Sequence, residues 1–233
     1  MSIIIIVESK KLSLNNKYEK ELKKMKKYLM FDTETANGFK NPMVYDIGLA
    51  VIDENGRIYK TYSFVVRNIF YNRKMMRGAY YADKLPQYRI DIKNGERKVV
   101  DFKYVQKVIA TLMERYNIEE AVAHNVSFDK RSTSSTYNYV VPNSIKEFFP
   151  ADTIFLDTLA MARNILKEDE DFYHWCWIND GLSAKTEKPK FSAENLYRYI
   201  TDNPNFIESH TALADVLIEK EIFSFLMKKG LDI

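Results

Sequence analysis

The first half of the chain has the hydrophobic pattern of an antiparallel β-unit. The apolar run Tyr28–Phe31 stops abruptly at Asp32, as the end of a buried strand does. Two further strand-like segments, Val44–Ile52 and Arg57–Val66, flank the sequence Glu54-Asn55-Gly56, which favours a hairpin turn. The pattern therefore predicts three consecutive antiparallel strands.

The second half alternates between short apolar runs and segments with helical spacing. Ala121–Ala123 and Ile154–Leu156 are predicted strands. Each is followed by a predicted helix, one starting after Asn125 and the other spanning Thr158–Leu166. Strands that alternate with helices after an antiparallel unit predict an α/β fold, with a mixed central β-sheet flanked by α-helices.

Other segments complete the expected secondary structure. Asp101 is the expected N-cap of a helix that continues to about Tyr116, and a long final helix is expected from about Thr211 to Lys228, with Gly230 as its C-cap. The remaining expectations are a strand at Ile3–Val7, a helix over Asn15–Lys27, an irregular helical region over 68–88, a small hairpin at Arg89–Val100 around Asn94-Gly95, a loop over 168–190 and a short helix capped by Ser192.

Composition limits the classes of protein to consider. The chain has 233 residues, of which 46% are hydrophobic and 29% charged, as in globular proteins. Its single cysteine, Cys176, excludes an intramolecular disulfide and a cysteine-based zinc site, and favours a reducing, cytoplasmic location. No apolar run approaches the roughly 20 residues of a membrane span, so no membrane partner is expected.

The charge is unevenly distributed. The net charge is only +3, but residues 1–27 contain eight Lys and three Glu. These residues are therefore interpreted as a basic N-terminal extension, with a larger domain over 28–233. A basic extension suggests a polyanionic partner, although a solvated amphipathic helix would explain the same charges.

Asp32 and Glu34 are the first candidates for chemistry. In an extended strand, residues two apart point to the same face, so the two carboxylates lie side by side where the apolar run ends. Adjacent carboxylates repel unless a cation lies between them or one holds a proton. Hard divalent ions such as Mg²⁺ and Mn²⁺ prefer these oxygen ligands. The alternative is an exposed strand end with two solvated acids.

A second motif joins a strand to a helix. The strand Ala121–Ala123 is followed by His124 and Asn125, and Asp129 then falls in the first turn of the next helix. Asn125 can cap that helix, and Phe128 can pack beneath it. The alternative role of Asp129 is a favourable interaction with the helix dipole.

The third motif lies near the start of the final helix. His210 precedes the helix, and Asp215 lies one turn inside it, so the two side chains can face one point. Ala212 and Ala214 are small, which permits the close approach of another chain or of the sheet. The alternative is a capped helix with one exposed acid. His174, beside two tryptophans, fits no pattern and is expected to be a packing residue.

Taken in order, these motifs resemble those of the DEDDh exonucleases. This superfamily includes the proofreading epsilon subunit of the bacterial replicative DNA polymerase, ribonuclease T and oligoribonuclease. The segment Leu156–Ala160 also resembles the strand-to-helix junction that follows the second motif in the family. The resemblance extends from residue 28 to about residue 228, leaves residues 1–27 outside, and implies an insertion at 68–100.

The resemblance implies a ribonuclease-H-like fold and a 3′-5′ exonuclease domain over 28–233 that uses two divalent ions, Mg²⁺ or Mn²⁺. By motif position it assigns the metal ligands to Asp32, Glu34, Asp129 and Asp215, and the general base to His210. Thr33, Thr35, Asn125 and Phe128 are expected to contact substrate. The implied product is a nucleoside 5′-monophosphate, released from the 3′ end of a nucleic acid.

Several alternatives remain open within this resemblance. Asp-Thr-Glu-Thr at residues 32–35 resembles the epsilon branch more closely, which favours single-stranded DNA as substrate and a DNA polymerase as a possible partner. An exoribonuclease of the ribonuclease T or oligoribonuclease type would differ in its contacts to the 2′-hydroxyl. A non-catalytic module that binds nucleic acid or a polymerase could retain the same fold.

Overall fold

A computed structural model of the protein describes residues 25–36, 41–142 and 147–231. The strand expected at Ile3–Val7 and nearly all of the helix expected over Asn15–Lys27 lie outside these residues. Lys27, the last residue of that expected helix, instead begins the first strand. The separate character of residues 1–27 therefore stays a prediction.

Over the described residues, the strands form a mixed sheet in the order β4-β3-β2-β1-β5-β6. β1, β2 and β3 are antiparallel neighbours, as the sequence pattern predicts. β5 pairs in parallel with β1, β6 with β5, and β4 with β3. The strands are β1 Lys27–Ala36, β2 Met43–Asp53, β3 Ile58–Val66, β4 Lys98–Val100, β5 Glu120–Ala123 and β6 Ile154–Asp157.

Helices cover both faces of the sheet, which confirms the predicted α/β architecture. In chain order they are α1 Arg67–Phe70, α2 Arg73–Met76, α3 Leu85–Asn94, α4 Phe102–Tyr116, α5 Val126–Val140, α6 Thr158–Leu166, α7 Glu170–Ile178, α8 Ala193–Ile200 and α9 Ala212–Leu231. A short 3₁₀ turn, Ala82–Lys84, precedes α3. Over the described ranges, none of the helices combines the length and apolar character that crossing a membrane requires.

The side chains of β1 alternate between two core layers. Leu29 and Phe31 belong to the layer under α4 and α5. Tyr28 and Met30 belong to the opposite layer, where they join Val216 of α9. Because successive residues of a strand point to opposite faces, this register places Asp32 and Glu34 on the α9 side and Thr33 on the α5 side.

The start of α9 lies directly against the sheet. A Cβ atom added to Gly48 of β2 would lie 2.4 Å from the backbone carbon of Ala212. Gly48 is also the partner of Asp32 in the pairing of β1 and β2. The glycine therefore permits a backbone approach that brings the first turns of α9 next to the carboxylates of β1.

Three expectations outside the motifs are wrong. Asn94-Gly95 ends helix α3 with Gly95 in the left-handed conformation, instead of turning a hairpin. Residues 170–178, expected to be loop, form α7, whose N-cap Asp169 accepts a hydrogen bond from the backbone N–H of Phe172. Gly230 lies inside α9 and does not end it.

Candidate active site

A cavity of about 370 Å³ lies at the end of β1, bordered by the first turns of α5 and α9. The three sequence motifs, far apart in the chain, all contribute side chains to it. The walls comprise Asp32, Thr33, Glu34, Thr35, Gly78, Tyr80, Tyr81, His124, Phe128, Asp129, Ser192, Ala193, Glu208, His210, Asp215 and Glu219. The structure therefore brings together the five residues that the resemblance assigns to chemistry.

Asp32, Glu34 and Asp215 form the closest cluster of carboxylates in the cavity. One oxygen from each of the three side chains lies within 4.8 Å of the others. Asp32 and Glu34 share one face of β1, and Asp215 comes from the first turn of α9, which the close contact at Gly48 holds against that face. The arrangement follows from strand alternation together with this helix-to-sheet contact.

Asp129 reaches the cavity from the first turn of α5, on the opposite side of β1. The hydroxyl of Thr33 donates a hydrogen bond of 2.6 Å to Asp129 Oδ1, and both residues are buried. Thr33 therefore holds an acid of the second motif in place. Its hydroxyl, expected from the sequence to contact substrate, is engaged with Asp129 in this structure.

Burial and mutual repulsion favour the protonated forms of these acids. Burial, together with the charge of Asp215, raises the pKa of Glu34 to about 10. Burial and the charge of Glu208 raise the pKa of Asp215 to about 8. Burial also raises the pKa of Asp129 to about 7, although the hydrogen bond from Thr33 lowers it. A cation in the site would offset this repulsion and favour the charged forms of the acids.

The residues fit divalent cations. Asp215 Oδ1 is buried and has no hydrogen-bond partner among the described residues. Hard divalent ions coordinate carboxylate oxygens, and two such ions would offset the four charges of Asp32, Glu34, Asp129 and Asp215. The unsatisfied oxygen and the clustered acids are the features expected of such a site.

His210 lines the cavity from the loop before α9. Its backbone is in the left-handed conformation, with φ of 54°, and a nitrogen of its ring lies within 4.8 Å of carboxylate oxygens of Glu208 and Asp215. The phenol ring of Tyr81 stacks on its imidazole ring. Burial lowers the pKa of His210, so its neutral form predominates near neutral pH.

Of the other three predicted substrate contacts, two line the cavity and one does not. Thr35 and Phe128 line the cavity. Asn125 is exposed and lies outside the cavity wall. It occupies the N-cap position of α5 with φ of 64°, but its side chain makes no capping hydrogen bond. The expected capping role of the Asn125 side chain is therefore wrong.

His124 borders the cavity, but both of its ring nitrogens are engaged elsewhere. Nδ1 lies 3.0 Å from the hydroxyl of Thr158, and Nε2 lies 2.8 Å from the carbonyl oxygen of Phe191. Burial lowers the pKa of His124. These contacts support a structural role for His124 at the end of β5.

Sequence reasoning missed several residues of the cavity wall, among them Tyr81, Glu208 and Glu219. Glu219 follows Asp215 by four residues and therefore shares its helix face, a spacing that could have been noticed. Glu208 precedes His210 by two residues, a weaker signal. Tyr81 comes from the 68–100 insertion, and nothing in the sequence relates it to the motifs.

Asp46 of β2 connects the insertion to the start of α9. Its Oδ2 accepts hydrogen bonds from the Tyr88 hydroxyl at 2.6 Å, Arg97 Nη1 at 2.9 Å and the backbone N–H of Ala212 at 3.0 Å. Asp46 is fully buried and pairs with Glu34 across the sheet. One buried carboxylate therefore ties the insertion to the helix that carries Asp215.

Solved structures of exonuclease I share this fold. One superposes with a TM-score of 0.51 and 16% identity, over 88% of this chain and 41% of that chain. E. coli exonuclease I in complex with a 5cy-dA13 oligonucleotide gives 0.52 and 16%, over 88% and 40%. A product-bound exonuclease I gives 0.52 and 17%, over 89% and 44%. The predicted ribonuclease-H-like fold is thereby confirmed.

At these identities the likeness establishes the fold. The chain spans about two fifths of the length of the solved structures that it matches. No family model and no curated protein sequence matches the chain. The chemistry must therefore be argued from the cavity itself.

Proposed function

We propose that this protein is a metal-dependent 3′-5′ exonuclease that releases nucleoside 5′-monophosphates from the 3′ end of single-stranded DNA. The observation that carries the proposal is the convergence of Asp32, Glu34 and Asp215 within 4.8 Å, in a cavity that His210 also lines. The fold shared with exonuclease I supports the same conclusion. We assign the exonuclease domain to residues 28–233 and interpret residues 1–27 as a basic extension.

Asp32, Glu34, Asp129 and Asp215 are proposed to hold two divalent cations, Mg²⁺ or Mn²⁺. When bound, such a pair supplies Lewis-acid stabilisation of the attacking and leaving oxygens in an in-line displacement at phosphorus. The four side chains come from β1, α5 and α9, three elements whose packing is fixed by buried contacts. Rigid elements of this kind hold ligands more reproducibly than loops do.

His210 is proposed to accept the proton of the water that attacks the terminal phosphodiester. The new bond joins the water oxygen to phosphorus, the bond from phosphorus to the 3′ oxygen breaks, and the leaving oxygen takes up a proton. Burial lowers the pKa of His210, which keeps the imidazole neutral and able to accept a proton near pH 7. A backbone hydrogen bond from His210 to Asp215 keeps the loop beside the carboxylates.

The cavity suits the end of an unpaired nucleic-acid strand. Phe128 and Tyr80 line it, and Tyr80 is 67% exposed. Aromatic side chains stack on unpaired bases with little sequence preference. The oligonucleotide bound to E. coli exonuclease I in one of the solved structures supports DNA as the substrate. Thr35 and Phe128 are the substrate contacts that we retain from the sequence.

The test is a time course on 5′-labelled single-stranded DNA and RNA of matching sequence, with Mg²⁺, Mn²⁺ or EDTA. We expect a ladder that shortens from the 3′ end, faster on DNA, and no cleavage in EDTA. Faster cleavage of RNA would change the substrate to that of the ribonuclease T type. Binding without cleavage in either ion would identify a non-catalytic module.

Two substitutions test the assignment of the ligands. Asp129→Asn and Asp215→Asn should each abolish turnover while leaving the fold intact, because amides replace the charged oxygens with little change of shape. Asp171→Asn, at an exposed acid of α7, is the matched control and should keep the wild-type rate. Near-normal rates in either ligand variant would remove that residue from the metal site.

A further inference from the structure

Glu219 lies one helical turn beyond Asp215 on the same face of α9 and lines the same cavity. It is 3% exposed. Glutamate is rarely buried to this extent unless it is paired or coordinates a cation. Neighbouring positions on this side of α9, such as Val216 and Phe223, carry apolar core side chains. A carboxylate at this depth therefore requires a specific partner.

The two oxygens of Glu219 have different surroundings. The backbone N–H of His124 donates a hydrogen bond to the carboxylate, which links α9 to the end of β5. Oε2 is buried and has no hydrogen-bond partner among the described residues. An unsatisfied buried oxygen is costly, because the lost hydration is not replaced. Glu219 lines the cavity, so the unsatisfied oxygen belongs to a side chain of the cavity wall.

The electrostatic surroundings of Glu219 are acidic. Burial, followed by the charges of Asp129 and Asp215, raises the pKa of Glu219 well above its usual range. Glu219 in turn contributes to the raised pKa of Asp32, after burial and Asp129. Glu219 therefore adds to the negative charge that would attract a cation to the cavity.

We propose that Glu219 is a fifth carboxylate of the divalent-cation site, which interacts with the bound cation through Oε2, either directly or through a water molecule. This inference rests on the proposed metal dependence of the protein. Glu219 is not needed to complete the four carboxylates of the sequence motifs, and it adds a negative charge that interacts with those of Asp129 and Asp215. It thereby strengthens cation binding beyond what the motif residues supply.

The test is Mn²⁺ binding measured by isothermal titration calorimetry, without nucleic acid, for the wild type and Glu219→Gln. The amide is nearly isosteric, and its oxygen can still accept the hydrogen bond from His124. We expect Mn²⁺ affinity to fall by about 10- to 100-fold, as when groups that support metal ligands are removed. Glu221→Gln is the control, since Glu221 lies on the same helix with a side chain that is 46% exposed. Its affinity should be unchanged.

The outcomes separate this inference from the proposed function. If the wild type binds no Mn²⁺, the proposed metal dependence itself fails. If the wild type binds Mn²⁺ and Glu219→Gln binds it equally well, Glu219 is a neutral buried acid and the inference is overturned. Glu219→Leu provides a second variant that removes the buried polar group. It should bind Mn²⁺ more weakly than the wild type, with its folding in EDTA verified by circular dichroism, and retained affinity would again overturn the inference.

Discussion

The phenol ring of Tyr81 lies flat against the imidazole ring of His210, with ring centroids 4.1 Å apart and planes 8° from parallel. Tyr81 comes from the inserted segment between β3 and β4, whereas His210 precedes α9. The inserted segment is also tied to β1, because the backbone N–H of Tyr80 donates to the carbonyl oxygen of Thr35 at 3.3 Å. The insertion therefore contacts the proposed proton acceptor directly.

Removing this ring should slow the reaction without destroying the site. Tyr81→Ala is expected to lower kcat roughly 2- to 10-fold, the effect of losing one aromatic pair, because the His210 side chain becomes free to leave its position. Tyr81→Phe should keep the wild-type rate. Tyr71→Ala, at an exposed tyrosine of the same insertion, is the control. A wild-type kcat for Tyr81→Ala would show that the stack does not position His210.

Replacing His210 itself should have a larger effect. His210→Ala is expected to lower kcat by about 10²–10⁴-fold, the usual contribution of general acid–base catalysis. Burial lowers the pKa of His210, so the wild-type rate should rise with pH and level off below neutrality. The variant should lack that rise when rates are measured across the same pH range in Mg²⁺. An identical pH–rate profile would assign the proton transfer to another group.

The raised carboxyl pKa values determine how the metal-free protein responds to pH. The pKa is about 7 for Asp129 and about 8 for Asp215, whereas aspartate in an unfolded chain has about 3.9. The folded state therefore binds protons more tightly than the unfolded state. This contribution to stability is complete below about pH 4 and is lost as the pH rises to about 8.

Thermal melting in EDTA should reveal this loss. We expect the melting temperature to fall between about pH 5 and about pH 8, and Mn²⁺ to raise it most at the higher pH, because cations bind the deprotonated acids. Asp215→Asn should show a shallower fall. A melting temperature in EDTA that rises over this range would contradict the assigned direction of the pKa shifts.

The buried ion pair of the insertion should matter for stability. Arg97 lies 2.9 Å from Asp46 and 2.8 Å from Asp91, with only 9% of its side chain exposed. Arg97→Met leaves a buried carboxylate without its cation, so unfolding free energy should fall by about 3–5 kcal/mol in urea titrations. Arg67→Ala breaks an exposed pair with Asp101 and should change stability by about 0–1 kcal/mol. If the two substitutions changed the unfolding free energy equally, the buried contacts of Arg97 with Asp46 and Asp91 would not contribute specifically to stability.

Much of the sheet and the location of the motif residues could be predicted, because both depend on local patterns. The break from Phe31 to Asp32 marks the strand end, and alternation along β1 fixes which faces Asp32, Thr33 and Glu34 occupy. The roles of the five motif residues stay predictions, although the structure places all five around one cavity.

The features that could not be predicted depend on contacts between distant segments. Asn94-Gly95 suits both a hairpin turn and a helix end, since each needs a left-handed residue, and only the packing of α3 decides between them. Four consecutive acids at 168–171 suit a solvated loop as well as a helix start, and the backbone conformation at Asp169 makes that residue the N-cap of α7. The hydrogen bond from Thr33 to Asp129 joins residues 96 positions apart, so no local pattern predicts it.

Gly48 gives the site a property that no motif describes. Gly48 lies on β2, directly beside Asp32 of β1, and here the sheet and the start of the helix that carries Asp215 meet backbone to backbone, with no side chain of residue 48 between them. The side chain of any larger residue at this position would clash with the backbone of Ala212, so that even one methyl group would push α9 away from the sheet. The carboxylates would then separate although every one of them remained in the sequence. The spacing of the candidate metal site is therefore encoded in β2, by a residue that carries no functional group.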